Sequence, residues 1–109
     1  IIRRAELYRE DIAVAAIDQE GVDRVTAAQA ADELLNIVGI STSFVLFPDG
    51  EQIIISGRSM GDTNVQVILE QLGGGGNAAA AGGQVAGKTL EQVAVELTQA
   101  IDRYLEEDS

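Results

Sequence analysis

Residues 41–56 read STSFVLFPDGEQIIIS. Two runs of aromatic and branched residues, Phe44-Val45-Leu46-Phe47 and Ile53-Ile54-Ile55, flank Pro48-Asp49-Gly50. Proline presets φ and glycine takes a position that needs φ > 0, so the stretch is predicted to be a β-hairpin with strands over 41–47 and 52–56. Neither run alternates apolar with polar. Strands that are apolar on both faces have to be covered on both faces, which places this hairpin in the middle of a sheet with helices on either side.

The flanking sequence supplies those helices. Residues 26–38 carry Ala27, Ala30, Ala31, Leu34, Leu35 and Val38 at helical intervals. Thr26 and Gln29 have capping-box spacing, and Gly39 is a C-terminal stop. The alanine-rich face lets this helix lie close against the sheet. Residues 11–18 place Ile12, Val14 and Ala16 in alternation and read as a strand, followed by a polar turn around Gly21. Residues 1–9 read as the end of a helix begun upstream. After the hairpin, residues 57–61 leave the sheet, and Asp62 or Thr63 caps a helix carrying Val65, Ile68, Leu69 and Leu72, which Gly73 ends. Asn77 is expected to cap a short helix through the alanines, and residues 83–87 to form a short strand or a turn. Thr89 and Gln92 make a second capping box for the longest helix. Its buried stripe is Leu90, Val93, Leu97, Ile101 and Tyr104, and residues 106–109 are its solvated end. With no internal repeat and no linker, the reading is a single α/β domain: a mixed central β-sheet with a hairpin at about 41–57 and helices packed on both faces.

Composition narrows the chemistry. The 109 residues make one domain, able to bury roughly two-thirds of the surface of the unfolded chain. There is no cysteine and no histidine, hence no disulfide or thiolate chemistry and no imidazole base or ligand. The net charge of −11 repels duplex nucleic acid and anionic lipid. No apolar run approaches the roughly 18 residues of a membrane span, so no direct membrane contact is expected. The sequence opens on Ile1 and its one methionine is Met60, which is read as a piece of a longer protein.

Candidate chemistry gathers in residues 58–83, RSMGDTNVQVILEQLGGGGNAAAAGG. Between Val25 and Gly87 the one cation is Arg58. It has either a specific anionic partner or an internal salt bridge to a carboxylate such as Asp62, and charge alone leaves both open. The four glycines from Gly73 to Gly76 discard ordering entropy, which a folded domain tolerates where backbone must come very close to something. That something is another piece of backbone or a ligand phosphate. If Asn77 opens a helix, its unpaired amides favour an anion there, and Arg58 can add a bidentate contact. Residues 82–89, GGQVAGKT, satisfy the P-loop expression, but residues 77–81 are too small and helix-prone for the strand a P-loop requires before it. On the alternative reading Lys88-Thr89 simply begins a helix. Asp32, Glu33 and the acidic residues 106–108 read as solvated faces. No carboxylates have metal-ligand spacing, so a catalytic metal would have to come from outside this stretch.

Several segments together carry a family resemblance. They are Ile55-Ser56-Gly57-Arg58-Ser59, Asn64-Val65-Gln66-Val67-Ile68, Leu72-Gly73-Gly74-Gly75-Gly76 and Ala80-Ala81-Gly82, with residues 28–35 and Ser43-Phe44-Val45 upstream. Across nearly the whole chain they resemble the DHH-associated C-terminal domain of DHH-family phosphoesterases, most closely the GdpP-type cyclic-di-AMP phosphodiesterases. The resemblance implies a substrate-binding half of a hydrolase for cyclic dinucleotides or very short linear ones. A DHH domain of the same polypeptide would hold two metal ions, typically Mn²⁺, and activate water. On that pattern Arg58 and Ser59 contact phosphate, Gly74, Gly75 and Gly76 offer close main-chain amides, and Asn64 and Asn77 complete the site. The parent protein would be membrane-anchored with this part in the cytoplasm. The pattern departs at Asn77, where the family has histidine: asparagine keeps a hydrogen-bonding side chain but carries no positive charge. The wording of residues 78–83 departs as well. A non-catalytic nucleotide-sensing module and a structural or oligomerisation module are the alternatives, and the sequence carries no signal of oligomeric state.

Overall fold

A computed structural model describes residues 4–9, 11–17, 24–36, 39–61 and 63–107. In chain order the elements are β1 (Arg4–Arg9), β2 (Ile12–Ala16), α1 (Arg24–Leu34), β3 (Thr42–Asp49), β4 (Gln52–Ser59), α2 (Val65–Glu70), β5 (Gly75–Gly76), β6 (Ala80–Ala86) and α3 (Leu90–Glu107). The strands form one mixed sheet in the order β1-β2-β3-β4-β6-β5. Only β2 and β3 run parallel, because α1 makes the crossover between them; the other neighbours are antiparallel.

The hairpin is the centre of the sheet, as its two-faced apolarity requires. Its strands run further than expected, to Asp49 and Ser59, with Asp49 opposite Gln52. The two-residue loop is therefore Gly50-Glu51, with Pro48 and Asp49 in the strand and not in the turn, and Gly50 takes φ +62°. Glycine with positive φ at the first loop position suits the right-handed twist of the strands. Alternation then sorts the apolar side chains into two cores. Phe44, Leu46, Ile53 and Ile55 pack with Val65, Ile68 and Leu69 of α2 and with Val93, Leu97 and Ile101 of α3. Val45, Phe47 and Ile54 face the other way, onto Ala13, Ala15 and Ile17 and onto Ala27, Ala31 and Leu34 of α1. Within the second layer the buried Ser43 donates its hydroxyl to the Ala31 carbonyl at 2.6 Å, fastening α1 to β3.

Several local expectations are corrected. The first described element, β1, is a strand paired with β2 and not the end of a helix. Its composition is ordinary for either state, and the edge of β2 decides the matter. Helix α1 starts at Arg24, so Thr26 lies inside its first turn instead of capping it. Asp23, an equally suitable capping type, precedes Arg24 in the sequence. The cap of α2 is Asn64, whose Oδ1 accepts from the Gln66 and Val67 amides at 3.0 and 3.2 Å, and not Thr63. Gly73 ends α2 as expected, at φ +85°. The Gly73 amide donates to the Glu70 carbonyl and the Gly74 amide to the Leu69 carbonyl, the paired bonds of a Schellman motif. Thr89 and Gln92 form the reciprocal capping box of α3, at 3.1 and 2.9 Å. Helix α1 ends at Leu34, short of the expected Val38, and Leu35 and Asn36 turn away with amides on the Asp32 and Glu33 carbonyls. The polar turn over 19–23, the proposed cap Asp62, residues 37–38 and the last two residues lie outside the described residues.

Candidate functional site

The largest correction falls on the alanines after the tetraglycine. They form no helix. Residues 77–80 make a tight turn in which the Asn77 amide donates to the Ala80 carbonyl at 2.8 Å. The Asn77 Oδ1 accepts from the Ala79 and Ala80 amides at 3.0 and 2.9 Å. The chain then runs back as β6, paired with β4 along its whole length from Ala80 to Ala86. A run of alanines this short has helix propensity but no means of meeting the nucleation cost, while the open edge of β4 offers a full ladder of backbone bonds. The helix N-terminus expected to attract an anion is therefore absent from this place. The P-loop reading fails on a firmer ground than its context, since Gly82, Gly83 and Val85 are ladder residues of β6. Thr89 caps α3 and Lys88 pairs with Glu96.

What the turn does create is a cavity of about 300 Å³. It opens on the α1 side of the sheet, where that helix stops covering β4. The parity of β4 puts Ile54, Ser56 and Arg58 on this face, while Ile53, Ile55 and Gly57 point into the α2/α3 core. Ser56 and Arg58 line the cavity, Ala27 and Ala28 of α1 form one wall, and the floor is Gly75, Gly76, Ala80, Ala81 and Gly82. A floor built from such small residues keeps the main chain at the surface. Among the described residues Arg58 is the one charged residue in the lining. Its Nη1 donates to the Gly57 carbonyl at 2.9 Å, and its Nε lies 3.5 Å from Oδ1 of Asp32 on α1. With about a quarter of its side chain exposed, the guanidinium is held at the cavity rim by the sheet on one side and a carboxylate on the other.

The remaining candidates are not all brought to this cavity. Ser59, on the opposite face of β4 from Arg58, is buried, with its hydroxyl 3.4 Å from the Thr42 hydroxyl and accepting from the Gly61 amide. Asn64 caps α2, and its amide donates to the Tyr104 hydroxyl at 3.0 Å. The Gly74 amide is used by the α2 terminus, and a Cβ on Gly74 would stand 2.4 Å from the Gly82 carbonyl oxygen. Gly76, at φ +148°, would meet the Ala80 carbonyl oxygen at 2.5 Å. Both glycines are thus required by close approach to β6. Around Gly75 a Cβ would meet nothing within 4 Å. The turn itself is strapped down by the Ser59 amide on the Ala79 carbonyl and the Val65 amide on the Ala78 carbonyl. Ser56, Ala28 and Asp32 were not singled out by the sequence as site residues. The parity of β4 relative to Arg58 was a usable signal for Ser56.

Among the described residues no three of aspartate, glutamate, histidine and cysteine converge to hold a metal ion. No helix among them is long and apolar enough to cross a membrane. The arrangement is suited to gripping an anion at Arg58 beside a flat, thin-walled surface.

The chain belongs to the DHHA1 domain family, whose model matches residues 10–107. It is 43% identical over 108 residues to the cyclic-di-AMP phosphodiesterase GdpP of Geobacillus thermodenitrificans, covering 97% of this chain and 16% of that protein. To the cyclic-di-AMP phosphodiesterase PdeA of Listeria monocytogenes it is 40% identical over 106 residues, covering 95% of this chain and 16% of that protein. The chain therefore spans about a sixth of these relatives. A crystal structure of an exopolyphosphatase-related protein from Bacteroides fragilis shares the fold, with a TM-score of 0.77 at 24% identity over 92% of this chain and 31% of that one.

Proposed function

We propose that this domain is the substrate-binding half of a metal-dependent phosphodiesterase acting on cyclic dinucleotides, cyclic-di-AMP foremost, or on short linear oligonucleotides. Arg58 seats a phosphate at the rim of the cavity, and the glycine–alanine floor lets the rest of the nucleotide lie against the main chain. A DHH domain of the same polypeptide supplies the metal ions, Mn²⁺ by family pattern, and with them the activated water. The work of this chain is to bind and orient. On the same reading it operates in the cytoplasm, with any membrane anchor outside these 109 residues. The observation that supports the proposal is the placement of Arg58, the one charged residue among the described residues of the lining, in a cavity that Gly75 and Gly76 also line. Relatives named as cyclic-di-AMP phosphodiesterases at 40–43% identity favour that ligand class.

The test is a calorimetric titration of the chain with cyclic-di-AMP and linear pApA, repeated with Arg58→Ala. Hydrogen bonds to a charged partner contribute about 1.5–3 kcal/mol, so affinity is expected to fall by roughly 10- to 150-fold. Equal affinity in the two proteins would remove the phosphate from Arg58. A non-catalytic sensing role is the second reading, favoured by Asn77 standing where the family has histidine. Asn77→His in the protein carrying its DHH domain separates the two, since an unchanged hydrolysis rate means that the position has no catalytic role.

A further inference from the structure

Asp32 is brought to Arg58 by a specific piece of construction. Ser43 lies directly opposite Arg58 in the β3–β4 register. The Ser43 hydroxyl holds the Ala31 carbonyl, which fixes the turn of α1 that carries Asp32. Ala28, one helical turn before Asp32, lines the cavity wall. The carboxylate therefore sits on the Nε side of the guanidinium, with its own side chain 64% exposed. Such an exposed pair is weak and does not remove Arg58 from use. It does offset much of the positive charge that an incoming anion meets, and among the described residues the cavity lining holds no second cation.

We infer that Asp32 is the charge-selecting residue of this site, so that the cavity accepts a singly charged phosphodiester and disfavours a doubly charged terminal phosphate. The inference rests on the phosphate-seat reading above. A phosphate monoester has its second pKa near 6 and carries close to two negative charges at pH 7.5, while a diester carries one. An anion on the Nη edge of Arg58 lies within the screening length of about 8 Å from the Asp32 carboxylate. One extra unit charge at roughly 6 Å, in a largely solvated setting, is disfavoured by about three- to tenfold in affinity. Among the described residues, the surrounding elements carry few other ionisable groups. Helix α1 also carries Arg24 and Glu33, β3 carries Asp49 at its hairpin end, β4 carries Arg58 alone, and β5 and β6 carry none. The consequence is directional. A cyclic dinucleotide, with diester linkages only, is admitted, and a linear product with a terminal phosphate is released.

The test titrates the chain with cyclic-di-AMP and with pApA, at pH 7.5 and pH 5.5, unchanged and as Asp32→Asn. At pH 7.5 Asp32→Asn is expected to improve pApA affinity about three- to tenfold relative to cyclic-di-AMP. At pH 5.5, where the terminal phosphate is mostly singly charged, the ratio of the two affinities is expected to be the same in both proteins. A ratio unmoved at pH 7.5, or moved equally at both pH values, overturns the inference and leaves the phosphate seat intact. Loss of affinity for both ligands alike also overturns it, because Asp32 would then only orient Arg58. If neither ligand binds, or if Arg58→Ala binds both as well as the unchanged chain, the phosphate seat itself is wrong and this inference falls with it.

Discussion

Gly75 and Gly76 are neighbours in sequence and opposites in environment, and replacing each by alanine separates structural from functional glycine. At Gly76 two costs add. Its φ of +148° belongs to a region that side-chain-bearing residues rarely adopt, at a cost of about 1–3 kcal/mol. The new Cβ would also lie 2.5 Å from the Ala80 carbonyl oxygen and 2.6 Å from the Ala81 Cα. Both are backbone atoms held in the β5–β6 pairing, so relief requires moving the strand, at about 1–3 kcal/mol by analogy with overpacked cores. The smaller entropy of the unfolded alanine chain returns about 0.4–1 kcal/mol. The net expectation for Gly76→Ala is a loss of about 2–5 kcal/mol, a large share of the 5–15 kcal/mol that stabilises a typical domain. At Gly75 the φ is not positive and a Cβ meets nothing within 4 Å. Gly75→Ala is expected to be neutral or stabilising by up to about 1 kcal/mol. Urea unfolding of both variants reads this directly as a shift in midpoint at unchanged slope. By melting temperature the Gly76 variant should fall by about 8–40 °C, at roughly 4–8 °C per kcal/mol. If the two variants unfold within about 0.5 kcal/mol of each other, the close-approach account of the tetraglycine is refuted.

Asn77→Ala removes the acceptor of the Ala79 and Ala80 amides in a turn open to water, and should lower stability by about 0.5–1.5 kcal/mol in the same unfolding assay. No loss at all would show that the side chain does not hold the turn. The 109-residue chain supplied with Mn²⁺ is expected not to hydrolyse cyclic-di-AMP, and release of pApA, followed by chromatography, would contradict the division of labour between two domains.

The layered architecture was legible because it is written in a pattern no other arrangement satisfies. Phe44 to Phe47 and Ile53 to Ile55 have no polar face, so both faces had to be covered, and the alanine stripe of α1 and the leucine–valine stripe of α3 were the available covers. The two capped ends read correctly, Gly73 and the Thr89–Gln92 box, are local events in which a residue type answers a backbone need within four positions. The elements misread are those that partners decide. Strand β6 is made of alanine, glycine, glutamine and valine, and becomes a strand because β4 presents an open edge beside it. Strand β1 is the same case at the other side, against β2. Arg58 was recognised as a lone cation needing an anion, yet the paired carboxylate described here is Asp32, on a helix two elements earlier in the chain. Asp62, the carboxylate near in sequence, lies outside the described residues; the tether between Ser43 and Ala31 is what carries Asp32 to Arg58.

The tetraglycine was posed as a choice between backbone and ligand, and the structure divides it residue by residue. Gly73 is needed for the positive φ that ends α2, Gly74 for contact with the Gly82 carbonyl, and Gly76 for both kinds of reason at once. Those three would be glycine in a domain that bound nothing. Within the run Gly75 alone has neither a strained φ nor a neighbour to avoid, and it lines the same cavity as Arg58. A glycine with no structural cause costs ordering entropy without return from the fold. On the proposed reading the return comes from a nucleotide lying against Gly75 and Arg58, while Gly73, Gly74 and Gly76 need no ligand to account for them.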